Sequence, residues 1–384
     1  MIMKKTTTAI ITALGLMLLP LHVALGQENL LEAPFAYDCS PLPISSLIGV
    51  NFWDPVLMTK ESGKTFKTPT NYVTESIGTI HDYGFNVIRV PYYWEAYVYD
   101  PKAFLAETEF IARTAMENKI CVIFDFHQYR TGSFWKLQPP GAGFPSFILQ
   151  NYPTLEDYVF TAEPFWNDFL NNAIVVDQKK VWNLQAKFMS TIIERVDNYK
   201  NVLGYEILNE PNLFHASQYK KLGAYHTFMA NKLRNYTDKM IFFDREITPG
   251  FERKPNLEPL IAPSGVQNIV YAPHLYLPPH PDTLGAVQVK NFKNWSEGWG
   301  NIPVLIGEFA ASSQTDTDIF VSTFKESGFG WTYWTWKPMP SPPSKLGKQL
   351  YASPDMEPTI YLVYVLNAIE EFVRLINAMD DDSI

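Results

Sequence analysis

Cysteine is scarce in this chain, with two residues in 384, Cys39 and Cys121. Two thiols make no disulfide framework, and no His/Cys spacing of the zinc type accompanies them, so neither a stapled scaffold nor a metal site is expected. An extracellular setting would permit one bridge between them. Cys121 opens an apolar run, however, and that favours a buried free thiol. Positive charge is also thin, 31 Lys and Arg against 40 Asp and Glu, for a net charge of −9. Neutralising phosphates requires a basic face, so nucleic acid is not an expected partner. Past the N-terminus no run is long and apolar enough to span a bilayer. A Gly-x-Ser-x-Gly elbow is missing, which argues against a serine hydrolase, and so is the Gly-x-x-x-x-Gly-Lys phosphate loop. What the chain has in quantity is aromatic residues, at 15%. Their faces stack on sugar rings but equally fill cores, so composition alone does not decide between the two.

The first 26 residues read as a secretory signal: Lys4 and Lys5, an apolar run from Ala9 to Leu19, then small residues Ala24 and Gly26 before a candidate cut ahead of Gln27. The alternative is an uncleaved membrane anchor, against which stand Pro20, His22 and the shortness of the run. Beyond it, residues 27–384 read as a single domain. Eight short apolar runs suit strands buried on both faces. They are Leu47–Phe52, Asn86–Pro91, Ile120–Phe126, Val202–Leu208, Lys239–Asp244, Asn268–His274, Pro303–Glu308 and Gly330–Thr335. Between them, Tyr72–Tyr83, Ala103–Glu117, Val181–Asn198, Gln218–Arg234 and Asp316–Ser327 show helical periodicity. Eight strands alternating with helices predict an α/β fold, a (β/α)8 TIM barrel, with a doubly wound open sheet as the alternative. The alternation breaks after the third strand, where a long segment of about 130–178 is rich in Pro and aromatics, among them Trp135, Phe144, Phe147, Tyr152, Tyr158, Phe160, Phe165 and Trp166. Such a loop is a lid or binding element on the barrel's C-terminal face, or a small structural subdomain. A second irregular loop, Pro338–Pro354, a helix-like Ile360–Ala378 and an acidic tail, Asp380 to Asp382, close the chain.

Two carboxylates stand at predicted strand ends. Strand four leads into Asn209-Glu210-Pro211 and strand seven ends in Glu308. Leaving a carboxylate at such a place costs several kcal/mol, roughly, unless it is paired or neutralised. One could be an ordinary ion pair, but two on strands that share a barrel mouth point to chemistry on one bond. Glycoside hydrolysis needs that pair, one group to protonate the departing oxygen and one to attack or stabilise the anomeric carbon. A separation of about 5–5.5 Å goes with retention, and about 6.5–9.5 Å with inversion. A metal reading of Asp125-Phe-His127 lacks a third ligand at a recognisable spacing.

On these residues the chain resembles the family-5 glycoside hydrolases, the cellulase-type retaining barrel enzymes, from about Gly49 to Lys337. The resemblance implies Glu210 as acid/base, Asn209 as holder of the sugar 2-hydroxyl, and Glu308 in Ile306-Gly-Glu-Phe309 as nucleophile. It implies supporting roles for Arg89 in Asn86-Val-Ile-Arg-Val-Pro91, His127 in Asp125-Phe-His-Gln128, and His274 and Tyr276 in Ala272-Pro-His-Leu-Tyr276. It makes Trp334 the sugar platform with Trp336 as the neighbouring candidate, and Trp53 and Lys337 further substrate contacts. No cofactor or metal is implied. The roles are physically consistent: Arg89 can hold Glu308 ionised, Tyr276 can donate to it, and a neutral His274 can orient Glu210. The implied activity is a secreted endo-β-1,4-glucanase acting as a monomer on β-linked polysaccharide. The alternatives are a β-mannanase on the same frame and a glycolipid-cleaving endoglycoceramidase. The last is suggested by the His-Gln after strand three, Phe165-Trp-Asn167 and the Tyr-Trp-Thr-Trp-Lys337 ending. A non-catalytic carbohydrate-binding barrel is the rival of a different class; it would keep the tryptophans and lose a carboxylate, and both are present.

Overall fold

A computed structural model describes residues 37–58, 71–128, 143–152, 163–213, 217–245, 262–311 and 313–336. The secretory segment, Trp135, Tyr158, Phe160, Lys337, the loop 338–354, the segment 360–378 and the acidic tail lie outside the described residues. Eight parallel strands form the sheet: β1 (Ile48–Phe52), β2 (Val87–Tyr92), β3 (Cys121–Phe126), β4 (Val202–Glu206), β5 (Met240–Phe243), β6 (Ile269–Tyr271), β7 (Leu305–Ile306) and β8 (Gly330–Trp336). Their order is β7-β8-β1-β2-β3-β4-β5-β6. The two ends approach each other through a parallel bridge, Tyr271 to Val304, and through the pairing of His274–Leu275 with Glu308–Phe309. This is the predicted (β/α)8 TIM barrel.

Strands six and seven depart from the sequence expectation in being broken, each into two short pieces. Pro273 interrupts the first because it has no N–H for the ladder, and its carbonyl accepts instead from Gly307 N (3.0 Å) at the break in the second. A Cβ at Gly307 would lie 3.1 Å from His274 Nε2, so the glycine leaves room for that ring. Gly204 is required more strictly: a Cβ there would meet the Met240 carbonyl oxygen at 1.9 Å, on the neighbouring strand β5.

Helices α1 (Tyr72–Asp82), α2 (Pro101–Glu117), α3 (Val181–Val196), α4 (Gln218–Leu233), α5 (Leu284–Gly298) and α6 (Gln314–Ser327) cover the sheet. Their starts are written locally. Asp100 accepts from Ala103 N with Pro101 in the first turn, Thr283 accepts from Ala286 N, and Ser313 accepts from Asp316 N. Gly328, at φ 73°, ends α6 in the left-handed conformation.

Side chains alternate along each strand, and one face of the strands carries two kinds of residue. Toward the strand starts it carries an apolar cluster that includes Val87, Ile123, Phe242, Val270 and Leu305, packed against Cys39, Ile44 and Leu47 from the preceding segment. Two residues further along come Arg89, Asp125 and Asp244, all fully or almost fully buried. The two cysteines meet in the apolar cluster and form a disulfide, with Cα atoms 5.9 Å apart. The free thiol expected for Cys121 is therefore corrected. Its apolar run did signal burial, but folding carries Cys39 to the same place from 82 residues away.

The aromatic segment after β3 is, in its described part, a packed subcore. Phe144, Phe165, Trp166 and Phe169 are buried and touch one another. They join the barrel through Phe126 and Tyr225. Of the two readings for this loop, the structural subdomain fits those residues.

Candidate active site

Arg89 is the centre of the polar cluster at the strand ends. Its Nε and Nη2 donate to the two oxygens of Glu206 at 2.7 and 2.8 Å. Its Nη1 donates to Asn51 Oδ1 (2.7 Å) and Glu308 Oε1 (2.9 Å). Its Nη2 also donates to Asn209 Oδ1 (2.7 Å) and lies 3.0 Å from Asp125 Oδ2. One cation thus spans β1, β2, β3, β4 and Glu308 in the short strand piece that follows β7. The surrounding carboxylates hold its pKa well above the ordinary value although burial opposes this.

Glu308 is held on both oxygens, by Arg89 on Oε1 and by the Tyr276 hydroxyl on Oε2 at 2.6 Å. Burial raises its pKa, while Arg89, His127 and Tyr276 oppose the rise. Glu210 faces it, with Oε1 2.8 Å from His274 Nδ1. Burial drives the His274 pKa well below its usual range, helped by Arg89 and His127, so the ring is neutral. An oxygen of each glutamate and a nitrogen of His274 lie within 4.8 Å of one another. Two buried carboxylates so close can act on a single acetal from two sides. A metal ion could also bridge that spacing, but Arg89, 2.9 Å from Glu308, sets a full positive charge beside any such ion.

Glu210 sits at φ 42°, a conformation that side-chain-bearing residues seldom adopt and that costs on the order of 1 kcal/mol or more. Neighbours hold it there. Gln128 Nε2 donates to the carbonyls of Asn209 (2.8 Å) and Glu210 (2.7 Å), and Asp244 Oδ2 accepts from Glu210 N (3.2 Å). The strained turn is what aims the side chain at Glu308.

His127 Nδ1 lies 2.6 Å from Asp125 Oδ2, and the imidazole stacks on Trp334 with centroids 5.4 Å apart and planes 11° apart. Burial lowers the His127 pKa to about 4 and raises that of Asp125 to about 7, the latter opposed by Arg89. Glu206 is raised to about 6, first by burial.

Of the candidate residues read from the sequence, Arg89, His127, Asn209, Glu210, His274, Tyr276, Glu308 and Trp334 lie together at this end of the strands. Trp336 stands apart, with its ring against Tyr83 at the end of α1. Trp53 is nearly buried in the core, and Tyr72 Oη donates to its carbonyl. Lys337 lies outside the described residues. Sequence reasoning missed Asn51, Glu206 and Asp244, and weighed Asp125 only as a metal ligand. The signal was present: each is a polar residue inside or ending an apolar strand, which calls for a buried partner.

Residues 55–340 match the family model for cellulase, glycosyl hydrolase family 5. The fold and site define a glycoside hydrolase barrel of that kind. The chain belongs to glycosyl hydrolase family 5. No curated protein sequence matches it significantly. Among solved structures it is similar to endo-glycoceramidase II from Rhodococcus sp., with TM-score 0.62 at 20% identity over 82% of this chain and 77% of that one. It is similar to an endogalactoceramidase, with TM-score 0.59 at 18% identity over 76% of this chain and 71% of that one. It is also similar to a family-5 enzyme from Prevotella bryantii B14, with TM-score 0.50 at 16% identity over 76% of this chain and 89% of that one.

Proposed function

We propose that this chain is a retaining endo-β-glycosidase with Glu210 as acid/base and Glu308 as nucleophile. The carrying observation is the spacing of at most 4.8 Å between one oxygen of each glutamate. It suits retention, about 5–5.5 Å between the carboxyl groups, better than inversion, about 6.5–9.5 Å. In the first step a Glu308 oxygen bonds to the anomeric carbon as the glycosidic C–O bond breaks, and Glu210 gives its proton to the departing oxygen. In the second step water attacks that carbon, the electron pair of the ester bond returns to Glu308, and Glu210 takes the water proton. Arg89 and Tyr276 keep Glu308 ionised and aimed. Neutral His274 orients Glu210 in either protonation state, as acceptor or donor. Asn209, His127 and Trp334 form the sugar-holding wall.

For the substrate, the sequence suggests a β-1,4-glucan. A β-linked glycolipid is the second reading, and it has the wider fold-level support. The Rhodococcus enzyme, solved as a lactosyl-enzyme intermediate and with ganglioside GM3, overlaps this chain more fully than the Prevotella enzyme does. Secretion is part of the proposal, supported by the N-terminal signal pattern and by the Cys39–Cys121 disulfide, which persists in an oxidising compartment.

The test is a panel of carboxymethylcellulose, glucomannan and a glycosphingolipid, with product anomers followed by NMR. Net retention is expected on whichever substrate turns over, and first-formed inverted product would overturn the mechanism. Glu308→Gln is expected to lose at least ~10³-fold in turnover with its fold intact. Undiminished hydrolysis by that variant would remove Glu308 as the nucleophile, whereas no hydrolysis of any substrate by the wild type would leave the binding-barrel reading in its place.

A further inference from the structure

Arg89 has five N–H donors, and all are engaged around one buried guanidinium. Glu206 takes a whole edge of it, Nε and Nη2, in a two-pronged pair. The nucleophile Glu308 receives one bond, from Nη1, which it shares with Asn51. The contacts of Glu206 run to Arg89, and the mechanism above assigns it nothing. It is nonetheless fully buried, next to Asp125 in the strand register. A carboxylate placed there has a consequence for its neighbour, because two carboxylates on one cation compete for its field.

We infer that Glu206 is a positioning residue for the nucleophile, restricting Arg89 to a single hydrogen bond with Glu308 and moderating the positive charge that Glu308 feels. The inference rests on the retaining mechanism proposed above. A carboxylate gripped by both prongs of a guanidinium is a stable anion and a poor nucleophile. In the first step Glu308 must give up charge to form the ester bond to the anomeric carbon, and a tight grip on the free anion slows this. In the second step the ester bond breaks and Glu308 leaves as the anion, so the same grip would favour that step. Glu206 therefore biases the enzyme toward a faster first step.

The groups around the pair are fixed by the fold. Glu206 faces Arg89 and Tyr92 from β2, Asp125 and His127 from the end of β3, and Asp244 after β5. Glu308 faces Arg89, Tyr93, Asp125, His127, Glu210, His274 and Tyr276. Among these, removing the Glu206 charge leaves Arg89 less compensated, so the Glu308 carboxylate becomes easier to form.

The experiment is Glu206→Gln in the full chain, assayed with dinitrophenyl β-lactoside and β-cellobioside. These carry leaving groups good enough for kcat to report the second step and kcat/KM the first. The acid limb of kcat/KM is expected to move down by about one pH unit, and kcat/KM at its plateau to fall roughly tenfold. kcat should hold or rise, and KM should rise with the fall in kcat/KM. A folded variant with an unmoved acid limb and an unchanged balance of kcat to kcat/KM overturns the inference, as does a parallel loss of both parameters. Should the Gln variant not fold, Glu206→Asp keeps the charge but is too short to take both Nε and Nη2. Its kcat/KM is expected to fall relative to kcat in the same direction, and no change in that ratio overturns the inference. Glu308→Gln runs beside them as the control. If it stays active, the retaining assignment fails; if it is dead while the Glu206 variants behave as wild type, this inference alone fails.

Discussion

The base and the mouth of this barrel are built from the same strands and stabilised by opposite means. At the base, Val87, Ile123, Phe242, Val270 and Leu305 pack with Cys39, Ile44 and Leu47, and a disulfide ties the entering segment to β3. At the mouth, two residues further along, Arg89, Asp125, Glu206, Asp244, Glu210 and Glu308 are buried in mutual contact, with a left-handed turn held in place at Glu210. Burial of apolar surface stabilises a fold wherever it occurs, whereas a buried cluster of charges does so only when every member is matched. The mouth gathers several anionic groups around Arg89, and burial is the first cause that raises the pKa values of Asp125, Glu206, Asp244 and Glu308. The lesson is that stability is concentrated at one end of the strands and reactivity at the other.

That contrast can be broken or sharpened by substitution. Glu210→Ala is expected to lose ~10²–10⁴-fold in kcat/KM on substrates with poor leaving groups and far less in kcat/KM on dinitrophenyl glycosides, whose kcat falls because the second step lacks its base, and to melt no earlier than the wild type. Restored turnover with added azide, accompanied by glycosyl azide product, would check the base role; an early melting transition would contradict the division between the two ends. At the base the expectation reverses. Cys121→Ser should lower stability by about 4 kcal/mol, as a crosslink closing 82 residues implies, with kcat unchanged; urea unfolding and steady-state kinetics on the same preparation measure both. Back at the mouth, Tyr276→Phe removes the 2.6 Å bond to Glu308 and should reduce kcat/KM by roughly tenfold to a hundredfold, with a small change in melting temperature.

The smallest effects concern pH. His226 on α4 is fully buried among Tyr225 and Phe243, and burial lowers its pKa from 6.5 to about 3. In that window the unfolded chain binds a proton that the folded chain refuses, so stability falls as pH falls, by up to about 1.4 kcal/mol per pH unit. His226→Met should flatten the slope of unfolding free energy between pH 7 and 5. Asp125, raised from 3.8 to about 7, acts in the opposite sense. There the folded chain keeps a proton that the unfolded chain has released, so its contribution to stability declines as pH rises through that window. Asp125→Asn should flatten the decline. Finding the two slopes the same way round would show that the charge balance described here is wrong.

Much of the site could be read from the chain because strand ends are local features. A polar residue that closes an apolar run, as in Asn209-Glu210-Pro211 or Gly307-Glu308, announces itself. Trp334 and Trp336 lie two residues apart on the same strand, and pattern ranked Trp334 first with Trp336 as its neighbouring candidate; Trp334 stacks on His127, whereas the Trp336 ring meets Tyr83 at a tilt. The aromatic segment after β3 looked equally like a binding loop and a subdomain. Burial of Phe144, Phe165, Trp166 and Phe169 decides it for those residues, because side chains that fill one another's packing space offer no face to a ligand.

By itself the sequence determined the alternation of strands and helices, and with it the barrel, since period and apolar content are properties of short segments. It also determined which carboxylates end up at strand termini. Only the tertiary structure decided what those termini meet: that Arg89 serves Glu206 and Glu308 together, that Asp244 holds the turn at Glu210, and that Cys39 reaches Cys121. The physical reason is range. Secondary structure follows from interactions between near neighbours in the chain, whereas each of these contacts joins residues dozens of positions apart, whose distance is set by closing the sheet on itself.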